Sequence, residues 1–346
     1  MKITNPLIPT RNPLLQTEVG DILNIGDCHF GRKFKNNVKL DRKGEYENTQ
    51  YQTLMRILKE QVRPNQLFVA QSGDWFDKAV VSNFDILESV KILQEYDDNH
   101  ENPLLFIISG NHDDSRSNTE ATSWDILNEF FKYPNRVVFV KNWYVHILPN
   151  LEQVLFVGWN INQSVVDSFI QANEMGYNNI KMVYCHLDRI SYGDDTNVIP
   201  YDFLASKGVQ IVVSGHEHKP YQFQEQGMQI IGTGSLLPYS HAEDTTGEHY
   251  LTFRSLEELN EYGVENLENK HVRIYVSEDE LEQVPDLSCI SLQVNKSVDL
   301  DQAYQEVVIE AYNAKSIWQA AATETGLPQD KADEIWLEIS SKGATE

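Results

Sequence analysis

Six short apolar runs, rich in β-branched residues, lie near residues 21–26, 67–71, 104–109, 154–158, 180–185 and 209–213. Stretches with helical periodicity separate several of them, near 44–62, 83–96, 119–132 and 163–174. Strands that alternate with helices have few ways to bury their apolar faces, so the pattern predicts an α/β layered fold. After residue 250 the texture changes. HVRIYV (271–276) and SCISLQV (288–294) read as strands. Helical stretches follow at 299–313 and 316–340, broken by GLP at 326–328.

The C-terminal edges of these runs carry metal-competent side chains. NIGDCHF places Asp27 and His29 after the first run, and AQSGDWFD places Asp74 and Asp77 after the second. IISGNHDD supplies Asn111 and His112, VYCHLD supplies His186, and VVSGHEH supplies His216 and His218. Four of the five edges pass through Gly, which lets a backbone turn sharply and approach a ligand. Sites in layered α/β folds form at the C-terminal ends of strands, so these distant residues are expected to converge. Each motif alone is weak, because GD and GN are common turns and a lone buried His is commonly a core residue. The ordered set is much more specific, and it takes five of the chain's ten histidines.

Imidazoles and carboxylates together suit divalent transition ions, with manganese, iron and zinc as candidates. No cysteine set suggests a structural zinc knot. Two ions about 3.5–4 Å apart are a common apparatus for in-line attack on a phosphorus ester. Asp74 is the natural bridge. The expected partition is Asp27, His29, Asp74 and His218 on one ion, with Asp74, Asn111, His186 and His216 on the other. In a strand-like exit, His216 and His218 would point the same way, so one segment could serve both ions.

Composition sets further limits. The net charge of −24 counts against a general nucleic-acid binder. The charge is uneven, however: residues 255–346 hold 20 acidic and 6 basic side chains. RKFKNNVKLDRK (32–43) has six basic residues against one Asp and leaves the first motif directly. It is either a solvated loop or a contact surface at the mouth of the site. Cys28, Cys185 and Cys289 have unrelated spacings, which argues for structural thiols in a reducing, cytoplasmic compartment. No apolar run reaches the length of a membrane span. The first 20 residues, with three prolines, read as an irregular arm. No GxxxxGK[ST] motif occurs, so any ATP use must come from a partner.

The set DxH, GDxxD, GNHD, H, GHxH resembles the calcineurin-like metallophosphoesterase superfamily. GDWFDK and GNHD lack the Arg-Gly of its serine/threonine phosphatases. DCHFGRK, GDWFD and GHEHKP leading into QIIGTGSLLPYSHAED (229–244) are closer to SbcD-type double-strand-break nucleases and their phage-encoded relatives. The resemblance implies a four-layer β-sandwich flanked by helices, with a small α/β capping domain and C-terminal helices. Its expected divisions are an arm at 1–20, a nuclease domain at 21–250, a DNA-capping domain at 251–315 and a partner-binding tail at 316–346.

The same resemblance assigns roles. His112 would be the catalytic histidine that protonates the leaving oxygen, and Asp77 would orient it through a carboxylate–imidazole hydrogen bond. The cofactors would be two divalent ions, with manganese expected. Asp113 and Asp114 read as turn and cap residues. Arg32, Lys33 and Lys35 would contact DNA. The implied partners are DNA, an SbcC-type coiled-coil ATPase and a second copy of the chain. The helices near 83–96 and 119–132 are candidate dimer elements, and the stripe Ile86, Leu87, Val90 and Leu93 on one face of the first is either interface or plain core. Ile317, Trp318, Ala321, Ile335, Trp336 and Ile339 either dock the ATPase or cap their own domain. The implied activity is a DNA exonuclease and endonuclease. The alternatives are a small-molecule or cyclic-nucleotide phosphodiesterase, or a scaffold without turnover.

Overall fold

The computed structural model describes residues 1–5, 8–115, 121–131, 135–191, 197–297 and 331. Two sheets form the main body. The first has the order β1-β2-β3-β4-β5, from β1 (Leu14–Gln16), β2 (Asp21–Ile25), β3 (Phe68–Gln71), β4 (Leu105–Ile108) and β5 (Val137–Val140). Strands β2 to β5 are parallel and β1 adds antiparallel at the edge.

The second sheet contains β6 (Trp143–Ile147), β7 (Gln153–Val157), β8 (Ile180–Cys185), β9 (Ile211–Ser214), β10 (Tyr221–Glu225) and β11 (Met228–Gly232). Its order is β10-β11-β9-β8-β7-β6, parallel from β7 through β9 to β11 with antiparallel strands at both edges. All six apolar runs of the sequence are strands. The edge strands β6 and β10, the inner strand β11 and the short β1 and β5 complete the sheets.

Side chains alternate across each strand, and this alternation builds the layers. Ile22, Phe68, Phe106 and Ile108 of the first sheet meet Val154, Phe156, Tyr184 and Val213 of the second. Phe106 stacks on Phe156 at 4.3 Å and Phe156 on Tyr184 at 4.9 Å. Asn24 lies buried in this interior, donating to Pro13 O and accepting from Tyr184 Oη.

The outer face of the first sheet, with Leu23, Ile25, Val69 and Ile107, is covered by α1 (Glu45–Glu60), α2 (Asn83–Asn99) and α3 (Ser123–Phe130). That of the second is covered by α4 (Val165–Glu174) and α5 (Tyr201–Ser206). The four-layer α/β/β/α sandwich is the expected one. Ser82, Thr122 and Ser164 cap α2, α3 and α4, as helix starts require.

The exit from α2 and its neighbours corrects one expectation. Ile86, Val90 and Leu93 face the core, whereas Leu87 is turned outward with Phe84. The N-terminal segment also differs from the irregular arm expected. Leu14–Gln16 pairs with β2, and the Met1 ammonium reaches Glu152 at 2.9 Å. Only its three prolines gave it the look of a free arm.

A third sheet, order β12-β13-β14, is built from β12 (Tyr250–Phe253), β13 (His271–Val276) and β14 (Ser291–Lys296), with α6 (Leu256–Tyr262) between the first two. The chain divides into two compact units. One holds 1–275 with 283–295, and the other holds 276–282 with 296–346. The expected helices at 299–313 and 316–340 lie outside the described residues, Lys331 apart. Among the described residues no helix is long and apolar enough to cross a membrane.

Candidate metal centre

Five parallel strands, β2, β3, β4, β8 and β9, end at one edge of the sandwich and deliver the candidate residues together. Ligand-competent atoms cluster as Asp27, His29 and His218, as Asp74, His186 and His216, and as His29, Asp74 and His112. Asn111 Oδ1 joins the second cluster, 3.1 Å from His186 Nε2 and 3.0 Å from His216 Nδ1. Asp74 Oδ2 lies 3.5 Å from His29 Nε2 and 3.2 Å from His186 Nε2, between the two groups. All seven residues proposed as ligands are brought together at this edge.

The turns that make this possible are tight. A Cβ on Gly110 would collide with the Asp74 carboxylate, and one on Gly73 with the His186 ring. His29, Asp74 and His216 take positive φ, at 46°, 51° and 77°. Non-glycine residues rarely adopt this region, and functional sites are where such strain persists. It also corrects the strand-like exit expected of GHEH. His216 sits in a left-handed turn, and that turn, rather than strand alternation, sends His216 and His218 to different clusters.

Each of the five imidazoles presents one nitrogen to the centre and turns the other to an oxygen. His186 Nδ1 faces Ser72 O at 2.8 Å and His112 Nδ1 faces Asp77 O at 2.7 Å. His29 Nδ1 lies 3.6 Å from Asp77 Oδ1, His216 Nε2 3.5 Å from Asp188 Oδ1, and His218 Nδ1 3.5 Å from Glu243 Oε1. Metal-ligating histidines are oriented in this way. Asp77 makes a hydrogen bond to one ring, His112, while its carboxylate lies near His29 Nδ1, which is buried without a hydrogen-bond partner. It holds His112 through its backbone carbonyl, not through the carboxylate expected, because the carboxylate is taken up beside His29 and Arg32. Asp188 and Glu243 were not singled out by the sequence reading. Their signal was slight, one acid two residues after His186 and another in the segment after the last histidines.

The donor set fits divalent cations. Asp27 Oδ1 is buried with no hydrogen-bond partner, an expensive state for a carboxylate unless a cation completes it. His29 and His218 bring their Nε2 atoms within 3.0 Å of each other, and His186 Nε2 and His216 Nδ1 within 3.3 Å. Ring nitrogens that share one ion lie about this far apart when each bond is about 2.1 Å.

Burial and neighbouring charge shift the titration of these groups in opposite directions. Burial pushes Asp27 well above the usual carboxylate range. Burial pushes His186 down, but the Asp74 and Asp27 carboxylates outweigh it and raise His186 to about 10. His186 and His29 hold Asp74 below its usual range against the push of burial. Burial carries His29 well down and, with His186 nearby, His216 down to about 4.

The surroundings are built to hold these turns. Asp113 is a turn residue, as expected. Its carboxylate accepts from the amides of Trp75, Phe76 and Gly110 and ties two motif loops together. Tyr239 Oη donates to Asp27 O and Cys28 O. Arg11, from the N-terminal segment, donates to His218 O at 2.7 Å, to Ser235 and to Glu243 O.

The basic run divides by role. Arg42 pairs with Glu45, and Lys39 with Asp286 and Leu287 O, so both anchor the loop. Arg32 lies 3.9 Å from Asp77 and 4.6 Å over the Tyr239 ring. Lys33 and Lys35 are exposed and have no ion-pair partner among the described residues.

Residues 20–220 match the calcineurin-like phosphoesterase family, and the chain belongs to it. It is therefore a hydrolase of the metallophosphoesterase class, a class that binds two divalent metals. No curated protein matches the sequence. Similar solved structures include a protein assigned as a 5′-nucleotidase from Staphylococcus aureus, with α-ketoglutarate bound. It is 17% identical over 62% of this chain and 48% of its own, with a TM-score of 0.39. GAP50, the anchor in the inner membrane complex of Plasmodium, is 17% identical over 65% of this chain and 75% of its own, TM-score 0.37. The phosphopantetheinyl hydrolase of Mycobacterium tuberculosis is 13% identical over 63% and 93%, TM-score 0.35.

Proposed function

We propose that the chain is a manganese-dependent DNA nuclease, the phosphodiesterase subunit of an SbcC–SbcD-like end-processing complex. The observation that carries the DNA part is local. In a protein of net charge −24, the loop leaving Asp27 and His29 turns Arg32, Lys33 and Lys35 toward a cavity with no acidic residue in its walls. Cations at the mouth of an acidic protein, two of them (Lys33 and Lys35) without an ion-pair partner among the described residues, suit a polyanion.

Bound ions would neutralise phosphate charge and acidify a water, and Asp27, His29, Asp74, Asn111, His186, His216 and His218 would hold them. The chain's own contribution is positional. His112 is exposed, with Nδ1 donating to Asp77 O, so Nε2 is left free and, in the imidazolium form, would give its proton to the leaving oxygen. Asp74 Oδ1 accepts from the His112 amide, which couples the bridging carboxylate to the acid. Retention of the complete set argues against a scaffold.

Two partners complete the reading. A second copy would pack on the outward Phe84 and Leu87 of α2 and Ile126 and Phe130 of α3, all exposed apolar side chains. An ATPase would bind the C-terminal residues beyond 315.

The test is end-labelled single- and double-stranded DNA, with bis-p-nitrophenyl phosphate as the small ester, in manganese, magnesium or chelator. Manganese-dependent DNA cleavage by the wild type and not by His112→Ala is expected. Hydrolysis of the small ester alone would move the protein to the small-molecule or cyclic-nucleotide phosphodiesterases.

A further inference from the structure

The motif GHEH places Glu217 between two ligand candidates, His216 and His218, yet its carboxylate joins none of the ligand clusters among the described residues. It turns instead to the chain that follows His186. Oε1 accepts from the Arg189 amide at 3.0 Å, and Oε2 pairs with Arg189 Nε at 3.0 Å. One carboxylate takes both a backbone and a guanidinium N–H, which makes each bond charge-assisted and fixes the geometry between them.

This contact lies where the sheet no longer holds the two segments together. The ladder between β8 and β9 ends with Cys185 opposite Ser214. Ser214 Oγ carries the connection one step further, accepting from Leu187 N at 2.9 Å and donating to Leu187 O at 2.8 Å. Glu217 and Arg189 carry it the next step. Arg189 is itself held, because its carbonyl accepts from Tyr201 Oη at 2.8 Å and its guanidinium lies 5.0 Å over the Tyr221 ring. Asp188, one residue earlier, exchanges backbone hydrogen bonds with Asn197 and Ile199 and faces His216 Nε2 with Oδ1 at 3.5 Å.

The two histidines of the motif therefore rest on separate supports. His216 has a φ of 77°, a state that persists only where the surroundings impose it. Glu217, the residue next to it, ties that turn to the segment carrying His186 and Asp188. His218 is tied elsewhere, since its carbonyl accepts from Arg11 and from the Ser235 amide and its ring faces Glu243. We infer that Glu217 and Arg189 are positioning residues that set the ion site of His186 and His216, independently of the site of His29 and His218. This concerns the metal centre alone and holds whatever ester is the substrate.

The test is a calorimetric titration of manganese alone into the metal-free full chain, as wild type, Glu217→Ala, Glu217→Gln and Arg189→Ala. Loss of an orienting partner costs about 10–100-fold in metal affinity, so Glu217→Ala should weaken one binding event by that factor and leave the other unchanged. Glu217→Gln keeps an acceptor for the Arg189 amide and should fall between. Arg189→Ala removes only the guanidinium half of the contact and should weaken the same event less. Anomalous scattering from manganese-soaked Glu217→Ala crystals should lose the peak beside His186 and His216 and keep the one beside His29 and His218. Urea unfolding in chelator separates positioning from plain stability. Two events weakened alike in step with lost stability, no event weakened, or loss of the His29 and His218 peak instead would overturn the assignment. Should Glu217→Ala fail to fold, the same criterion applies to Glu217→Gln and Arg189→Ala: selective weakening supports it, and equal or absent weakening overturns it.

Discussion

Arg11 is expected to hold the last metal motif, GHEH, from behind, and its removal gives a prediction with a definite size. The guanidinium donates to His218 O at 2.7 Å, Ser235 O at 3.1 Å, Ser235 Oγ at 2.6 Å and Glu243 O at 2.6 Å. Burial lowers its pKa, as expected for a charge partly withdrawn from water. Hydrogen bonds to a charged group are each worth about 1.5–3 kcal/mol, but water can enter a partly exposed site. Arg11→Ala should therefore cost about 3–5 kcal/mol rather than the sum. Arg11→Lys should fall between, because an ammonium cannot reproduce the planar fork. Urea unfolding in chelator reads this term. A manganese titration reads the second link, since a looser His218 should weaken binding about 10–100-fold, as loss of an orienting partner does elsewhere. A loss below about 1 kcal/mol with unchanged manganese affinity would refute the buttress. Lost stability with unchanged affinity would make Arg11 a clamp for the N-terminal segment only.

Other outcomes follow from the same geometry. Gly110→Ala should abolish one manganese equivalent in elemental analysis, because its methyl group meets the Asp74 carboxylate. Reversing Arg32, Lys33 and Lys35 to Glu should weaken DNA binding and lower its salt slope by about 2, near 0.7 for each of three single-strand phosphates. Unchanged binding would return the run to a solvated loop. Burial lowers His271 to about 3, so between pH 6.5 and 3 the unfolded chain binds the proton more readily than the native one. Its stabilisation is complete above pH 6.5 and is lost as pH falls, at up to about 1.4 kcal/mol per unit. Denaturant melts at pH 7, 6 and 5 should show this decline, and His271→Phe should flatten it. An equal slope in the variant would refute the assignment.

The strand ends were legible because a β-branched run stopped by Gly-Asp, Gly-Asn or Gly-His is an unusual local pattern, and four occur in order with a fifth run that ends at His186. The orienting oxygens were less so. Ser72 O and Asp77 O are backbone atoms that any residue would supply. The left-handed turns at Asp74 and His216 are also silent, since neither residue advertises positive φ as Gly does. Arg11 was hidden for another reason. Its segment carries three prolines and little periodicity, and its contacts span more than 200 positions in sequence.

The central claim is that one carboxylate, Asp74, organises two ions among seven side chains. Anomalous scattering from manganese-soaked crystals tests it most directly. Two peaks about 3.5–4 Å apart should flank Asp74 Oδ2, one beside His29 and His218 and the other beside His186 and His216. Asp74→Asn should lose both or retain one weakly. A single peak in the wild type, or two peaks remote from Asp74, would contradict the account.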